Sequence, residues 1–408
     1  MRRRDFLRSP RWGRKKLVVL ERQGGLEDVQ NAYYWNPPDY PVLFLPRLIV
    51  KASAEYFLGE GLNDLNYFSR TIALEKAKEA YRDHLVGVLK WFKRLFGLSA
   101  ILQFNIIYYA ERELAMACKQ VEVRFVCLQK EAMWSNRERD FVGQFFMSLG
   151  GPFYGDAIAF YSSTFRDIFE SAGMVPTCPS YVVGCARLDE SHRLRCEKKM
   201  PGQGSVVFYL ITEYAGLRKV QHFSYQESNW SRMAREVNRA IFELALEYPA
   251  INFIVKARSG SADEQLNLFF SSSETTEIPP NLVVQAGGSG HKLLECASVV
   301  VGFNTTAVLE AVAAGIPTVV PHIFSRKEEK YAEGAHLVSE GVVIADSVSL
   351  LKESILSAFK SQSVATELGP GQKIVLERYL GNSDGGSGHR LRDFLNHAVA
   401  GTFPSHAL

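Results

Sequence analysis

Short apolar runs that read as strands alternate with amphipathic helices along this chain. That alternation constrains the fold more than any other feature of the sequence. It is clearest in the second half. Val206–Ile211 reads as a strand, and Asn229–Tyr248 as a helix stopped by Pro249. Ile251–Lys256 and Asn281–Gln285 read as strands, and His291–Cys296 as a short helix. Val299–Phe303 reads as a strand, Thr305–Ala314 as a helix closed by Gly315, and Thr318–Pro321 as a strand. Val342–Ile344 and a helix over 348–360 complete the run. Strands joined by helices imply parallel pairing, so the pattern predicts an α/β fold with a doubly wound sheet.

The first half carries a less regular version. Lys16–Glu21 and Tyr40–Leu45 read as strands, and residues 70–97 as long helices. Phe104–Tyr109 and Val121–Leu128 are β-like runs. Ala157–Tyr161 and Tyr181–Val183 are short apolar runs with a helical stretch over 163–172 between them. Residues 190–205 are charged, then rich in Pro and Gly, and read as a surface linker. The predicted organisation is a basic leader over 1–16, an N-terminal α/β domain over 17–200, a C-terminal α/β domain over 201–365 and a helical tail over 366–408. The tail has helices near 371–380 and 389–399 and a flexible GNSDGGSG at 381–388.

Charge and cysteine usage narrow the function. The first sixteen residues hold eight cations against Asp5, a net +7; the whole chain is +3, so the other 392 residues sum to −4. A mildly acidic body excludes a dedicated duplex-DNA binder and leaves no nucleic-acid partner expected. The six cysteines show no CxxC spacing, so neither a disulfide scaffold nor a zinc site is signalled.

The leader has the charge of a signal-peptide n-region, but only Leu17–Leu20 follows before Glu21, too short for an h-region. It is either a plain tail or a surface anchor. Residues 85–98 form a second basic segment. At helical spacing Leu85, Val88, Leu89, Phe92, Leu95 and Phe96 share one face, with Lys90, Lys93 and Arg94 opposite and Trp91 near the boundary. Such a helix either faces the core with a solvated basic side or lies on an anionic membrane. The expected location is cytoplasmic, with the inner membrane surface as a peripheral contact.

The most informative stretch is Asn281–His322, NLVVQAGGSGHKLLECASVVVGFNTTAVLEAVAAGIPTVVPH. Strand-to-helix turns of a parallel sheet present unpaired backbone amides at one edge, which suits phosphate oxygens. One turn is Gly287, Gly288, Ser289 and Gly290, whose backbone can approach an anion closely. The next is Asn304, Thr305 and Thr306, a good helix cap. Glu310 follows one to two turns on, where a carboxylate can accept from two ribose hydroxyls. After the strand INFIV, Lys256 and Arg258 flank a turn that could hold a phosphate or carboxylate.

The segment GFNTTAVLEAVAAGIPTVVP resembles the donor-site signature of GT-B glycosyltransferases, matched by Asn304, Thr305, Thr306, Glu310, Ala311, Gly315 and Pro317. In the first half, Leu128–Glu131, Gly151–Asp156 and Val183–Asp189 are similar to segments of bacterial surface-carbohydrate biosynthesis proteins, GT-B-like proteins of capsule and lipopolysaccharide assembly. Together the resemblance spans about residues 100–325. It implies two Rossmann-like doubly wound domains facing a central cleft, with a nucleotide-sugar donor on the C-terminal half. It also implies a metal-independent glycosyltransferase with no cofactor, acting on a glycan or glycolipid acceptor. CMP-linked 3-deoxy-octulosonate (CMP-Kdo) is one donor it implies. Related donor domains carry a His-Pro pair where this chain has Arg258-Ser259, which puts a His-Pro-dependent mechanism in doubt.

Glycosyl transfer needs a base for the acceptor hydroxyl, and a retaining double displacement also needs a nucleophile. Glu131 and Asp189 follow apolar runs at predicted strand ends, with Arg187 beside the latter, and His222 lies in a loop. These four are the candidate catalytic residues. The alternatives are a surface ion pair of Glu131 with Lys130 or Arg137, and a structural Arg187–Asp189 clamp. Three other readings keep the fold: a polyol-phosphate transferase, a nucleotide-sugar epimerase, or a non-catalytic assembly factor at the membrane surface.

Overall fold

The computed structural model describes residues 15–403 apart from 23, 65, 70, 131–132, 134–138, 140–141, 146, 149–150, 176–177, 198–203, 216–227, 259–261, 274–276, 330–340 and 362–364. The chain divides into two compact units. One gathers residues up to 132, 139–189 and 377 onward; the other gathers 133–138 and 190–376.

The first unit is built on six parallel strands: β1 (Lys16–Glu21), β2 (Val42–Pro46), β3 (Leu98–Gln103), β4 (Arg124–Gln129), β5 (Ala157–Phe160) and β6 (Ser180–Val182). Their spatial order is β2-β1-β3-β4-β5-β6. Strand β1 pairs on one side with β2 (Leu17 opposite Val42) and on the other with β3 (Leu17 opposite Ala100). Helices α1 (Gly25–Ala32), α2 (Arg47–Leu58), α3 (Ile72–Phe96), α4 (Tyr109–Gln120) and α5 (Ser163–Ser171) make the connections.

Two expectations fail here for local reasons. The 70–97 region is one helix of 25 residues, capped by the Thr71 hydroxyl accepting from the Leu74 amide at 3.2 Å and ended by Gly97 in the left-handed region. The strand begins at once, at Leu98, so Phe104–Tyr109 is not a strand but the buried lead-in to α4. On α3, Leu85 and Leu89 are buried but Val88 is not, and Trp91 is 54% exposed beside Lys90. The apolar face of residues 85–98 is therefore narrower than the periodicity predicts. No helix among the described residues is long and apolar enough to cross a membrane.

The link between the units also differs from expectation. Residues 189–197 form helix α6 (Asp189–Glu197) rather than a linker; 198–203 lie outside the described residues. The chain re-enters the first unit through α11 (Pro370–Leu380) and ends in α12 (Ser387–Ala400), whose Leu391, Phe394, Leu395 and Ala398 are buried. Phe394 packs on Tyr181 with ring centroids 5.6 Å apart. The glycine-rich 381–388 turn is pinned rather than loose: the buried Asn382 amide donates to the Cys185 carbonyl at 2.8 Å, and Arg390 pairs with Asp384 at 2.8 Å.

The second unit holds strands β7 (Ser205–Tyr209), β10 (Asn252–Lys256), β11 (Leu282–Gln285), β12 (Ala297–Val301), β13 (Thr318–Pro321) and β14 (Val343–Ala345). A small antiparallel pair, β8 (Tyr214–Ala215) and β9 (Ser228–Asn229), lies apart. All six main strands are parallel, in the order β11-β10-β7-β12-β13-β14. Counted along this sheet alone the order is 3-2-1-4-5-6, the Rossmann arrangement. Helices α7 (Ser231–Glu247), α8 (Ala262–Ser271), α9 (Thr306–Ala313) and α10 (Val348–Ser361) connect them. Helix α9 ends at Gly315, φ 69°, where the Ile316 amide reaches back to the Ala311 carbonyl at 3.0 Å. A Cβ there would sit 2.3 Å from the Ala365 carbonyl oxygen, so only glycine fits. The α/β expectation for both halves is met.

Candidate functional site

The strand order of the second sheet reverses between β7 and β12. Ligands of open α/β sheets bind beyond the carboxyl ends of the strands at such a point, because the loops on either side leave in opposite directions. Tyr209 ends β7, and the turn Gly302 to Thr305 follows β12. Asn304 holds φ 54°, a left-handed conformation uncommon outside glycine but tolerated best by Asn and Asp. Thr305 then caps α9, its hydroxyl accepting from the Ala307 amide at 3.3 Å. The first-turn amides of such a helix, together with its dipole, favour an anion at its start.

The glycine-rich loop meets this turn through one residue. The Tyr209 hydroxyl donates to the Gly290 carbonyl at 2.7 Å, and burial raises the pKa of that phenol. A Cβ on Gly290 would lie 3.1 Å from the Tyr209 ring. Gly287, Gly288 and Ser289 are exposed, with open space where a Cβ on either glycine would point.

Glu310 lies one turn into α9, its side chain 16% exposed. Beside it stands His291, which is not among the candidates that the sequence marks. Its Nδ1 is 3.9 Å from a Glu310 oxygen and 3.4 Å from the Ser191 hydroxyl, while its Nε2 is 3.6 Å from a Glu190 oxygen. Two carboxylates thus flank one imidazole next to the phosphate-suited turn. Tyr209 on β7, His291 after the glycine-rich loop, and the adjacent Glu190 and Ser191 on α6 come from three separate segments, so no local motif joins them.

Two donor candidates stand aside. Lys256 is buried, its ammonium donates to the Ala257 carbonyl at 2.8 Å, and burial lowers its pKa. Arg258 is exposed, with its backbone amide tied to Gln265 at 2.8 Å. Both sit at the carboxyl end of β10, next to β7.

In the first unit, Glu131 lies outside the described residues, and so does His222 of the second unit and the leader before Lys15. Asp189 is 5% exposed, and its oxygens accept from Asn382 Nδ2 at 2.7 Å, the Ser387 amide at 3.2 Å and the Gly388 amide at 2.7 Å. It therefore holds the start of α12. Arg187 is engaged with Asp28 rather than Asp189: Nη1 reaches Asp28 at 3.3 Å and the Tyr161 hydroxyl at 2.9 Å. Tyr161 in turn donates to Asp28.

No protein-family model matches the chain, and no curated protein matches it. Solved structures do. A UDP-GlcNAc 2-epimerase from Methanocaldococcus jannaschii aligns at TM-score 0.51 with 12% identity, covering 94% of this chain and 99% of that one. A glycosyltransferase from Rickettsia africae ESF-5 aligns at 0.50 with 10% identity, covering 95% and 99%. The S. aureus MnaA–UDP co-structure aligns at 0.50 with 10% identity, covering 96% and 98%. At these identities the likeness is one of fold: the two-domain α/β architecture is shared over nearly the whole chain.

Proposed function

We propose that the second unit binds a nucleotide-activated sugar and that the protein transfers that sugar to a hydroxyl acceptor. The observation that carries this reading is the β7/β12 reversal, with the Asn304–Thr306 turn opening α9 and Glu310 one turn behind it. Diphosphate oxygens would meet the first-turn amides and threonine hydroxyls, and Glu310 would accept from the ribose hydroxyls. Two of the similarly folded proteins support the nucleotide: one is described as a UDP co-structure and another as a UDP-GlcNAc 2-epimerase. Backbone amides and the helix dipole meet the phosphate charge in this reading, so transfer needs no metal.

The finer reading rests on the motif resemblance: a surface-polysaccharide or lipid-linked acceptor, CMP-Kdo among the donors, and contact with the inner membrane face through residues 1–16 and 85–98. In it, Asp189 anchors α12 rather than serving as the acceptor's base.

One observation favours a second reading, nucleotide-sugar epimerisation. His291 between Glu190 and Glu310 places acid–base groups beside the donor turn. Incubation with UDP-, GDP- and CMP-sugars, followed by mass spectrometry and sugar analysis, separates the two. Transfer gives free nucleotide and a glycosylated acceptor. Epimerisation gives an isomerised sugar with no acceptor added. Neither product from any donor would contradict both.

A further inference from the structure

Helix α2 packs on β2, α3 and α4 and buries Val50, Ala54 and Leu58 on its inner face. The outer face of such a helix is ordinarily polar. Here it carries Leu48, Ile49, Ala52 and Tyr56, all exposed: Leu48 is 71%, Ile49 56% and Tyr56 84% open to solvent. We infer that this face is a self-association surface, on which α2 of a second copy of this chain packs antiparallel about a two-fold axis at Ala52.

Apolar side chains scattered singly over a surface are ordinary; four on one helix stripe mark a contact surface. At about 100° per residue, positions 48, 52 and 56 fall within a quarter-turn and 49 lies at its margin. The stripe runs about 12 Å from Leu48 to Tyr56. Its pattern matches its own reverse. The small Ala52 sits in the middle, where it lets two helices approach closely, and the large Leu48 and Tyr56 lie at the two ends. Turned end for end about Ala52, Leu48 meets the partner's Tyr56 and Tyr56 meets the partner's Leu48, as a two-fold interface requires.

Charge sets the direction. Lys51 and Glu55 lie along one flank of the stripe, paired at 3.4 Å with both side chains exposed. Antiparallel packing lays that flank on the same flank of the partner in reverse order. Lys51 then faces the partner's Glu55, offset by about 3 Å along the axis, and the two-fold makes the contact twice. Parallel packing would set lysine against lysine and glutamate against glutamate. A bilayer is the other surface on which an apolar helix face can rest, and charge argues against it. Anionic lipid is held by cations beside the apolar face. On α2, Arg47 is engaged by the buried Glu111 and Lys51 by Glu55, and the exposed Glu60 follows the helix. One short helix offers less than the about 800 Å² per partner of a standard interface, so the dimer should form reversibly with concentration. The inference stands on the first unit alone and does not depend on what the second unit binds.

Sedimentation velocity of the full chain across the micromolar range tests this. The parent is expected to pass from monomer to dimer as concentration rises. Ala52→Arg, at the axis, should keep the chain monomeric over that range, and Leu48→Ser should weaken the dimer about tenfold. Both positions are exposed, so circular dichroism and melting temperature should match those of the monomeric parent. Lys51→Glu and Glu55→Lys should each weaken the dimer about tenfold, because like charges then face each other across the axis. An equimolar mixture of these two variants should dimerise as the parent does, because opposite charges meet again. A parent that stays monomeric, a dimer unaltered by both Ala52→Arg and Leu48→Ser, or a mixture no better than either charge variant alone overturns the inference. So does a monomeric parent that co-sediments with anionic liposomes and loses them on Ala52→Arg, which would assign the face to lipid.

Discussion

The Tyr209 hydroxyl and the Gly290 carbonyl, 2.7 Å apart, tie the end of strand β7 to the glycine-rich loop after β11. Without that bond the loop would be fixed mainly by its own backbone. Tyr209→Phe removes one neutral hydrogen bond and leaves the ring in place. It should cost about 1 kcal/mol of stability. Urea denaturation followed by circular dichroism checks this, and an unchanged midpoint would show that other contacts hold the loop.

Asn304 holds a left-handed conformation in the turn before α9. Asn304→Gly relieves a positive φ and should change stability by less than about 1 kcal/mol. Asn304→Val forces a β-branched residue into the same conformation and should cost about 1–3 kcal/mol. The contrast between the two variants in thermal melts is the readout. Equal melting temperatures would mean that the turn is not held at φ 54°.

Asp189 carries a structural prediction. Truncation to alanine leaves two backbone amides of the α12 start and one of the two Asn382 Nδ2 hydrogens without their acceptor, while Asn382 keeps its bond to the Cys185 carbonyl. Asp189→Ala should cost about 3 kcal/mol, and Asp189→Asn less, because one acceptor oxygen remains. Both variants should bind UDP as the parent does, because the loss lies in the first unit. A stable Asp189→Ala protein with lost activity would instead point to a direct chemical role.

The pH dependence of the second unit has a defined sign at Glu328. Its carboxylate takes Arg232 Nε at 2.8 Å and the Ser325 amide and hydroxyl at 2.9 and 2.7 Å. The Arg232 hydrogen bonds draw its pKa down to about 2, against burial, which pushes the other way. The unfolded carboxyl titrates near 4.3. The unfolded chain therefore binds the proton first on acidification. The stabilisation is complete above about pH 4.3 and is lost as pH falls from there toward 2. Glu328→Gln should flatten that part of the stability profile; a profile as steep as the parent's would exclude this pair as its source.

The parts of the fold that could be read from the sequence are those where local signals suffice. The buried strand Thr318–Pro321 and the capped helix Thr306–Ala313 carry their own punctuation in Asn304, Thr305 and Gly315. Phe104–Tyr109 misleads because a buried apolar lead-in to a helix has the same composition as a strand. The true strand, Leu98–Gln103, is masked by the amphipathic helix that runs straight into it. Residues 189–197 look like a linker because charge dominates them, yet helix α6 buries Ser191 and His192. The site follows the same rule. Asn304 and Glu310 are neighbours in sequence and can be placed on one turn. His291, Tyr209 and Glu190 converge only once strand order is known, so their pairing leaves no trace in spacing.

The central claim is that the turn before α9 and Glu310 hold a nucleotide. Calorimetric titration of the parent and Glu310→Ala with UDP, GDP, CDP and CMP tests it most directly. The account predicts that at least one of the four binds the parent. It predicts binding about tenfold or more weaker to Glu310→Ala, from loss of a charged acceptor to the ribose. Failure of all four to bind the parent, or equal affinity for parent and variant, would contradict it.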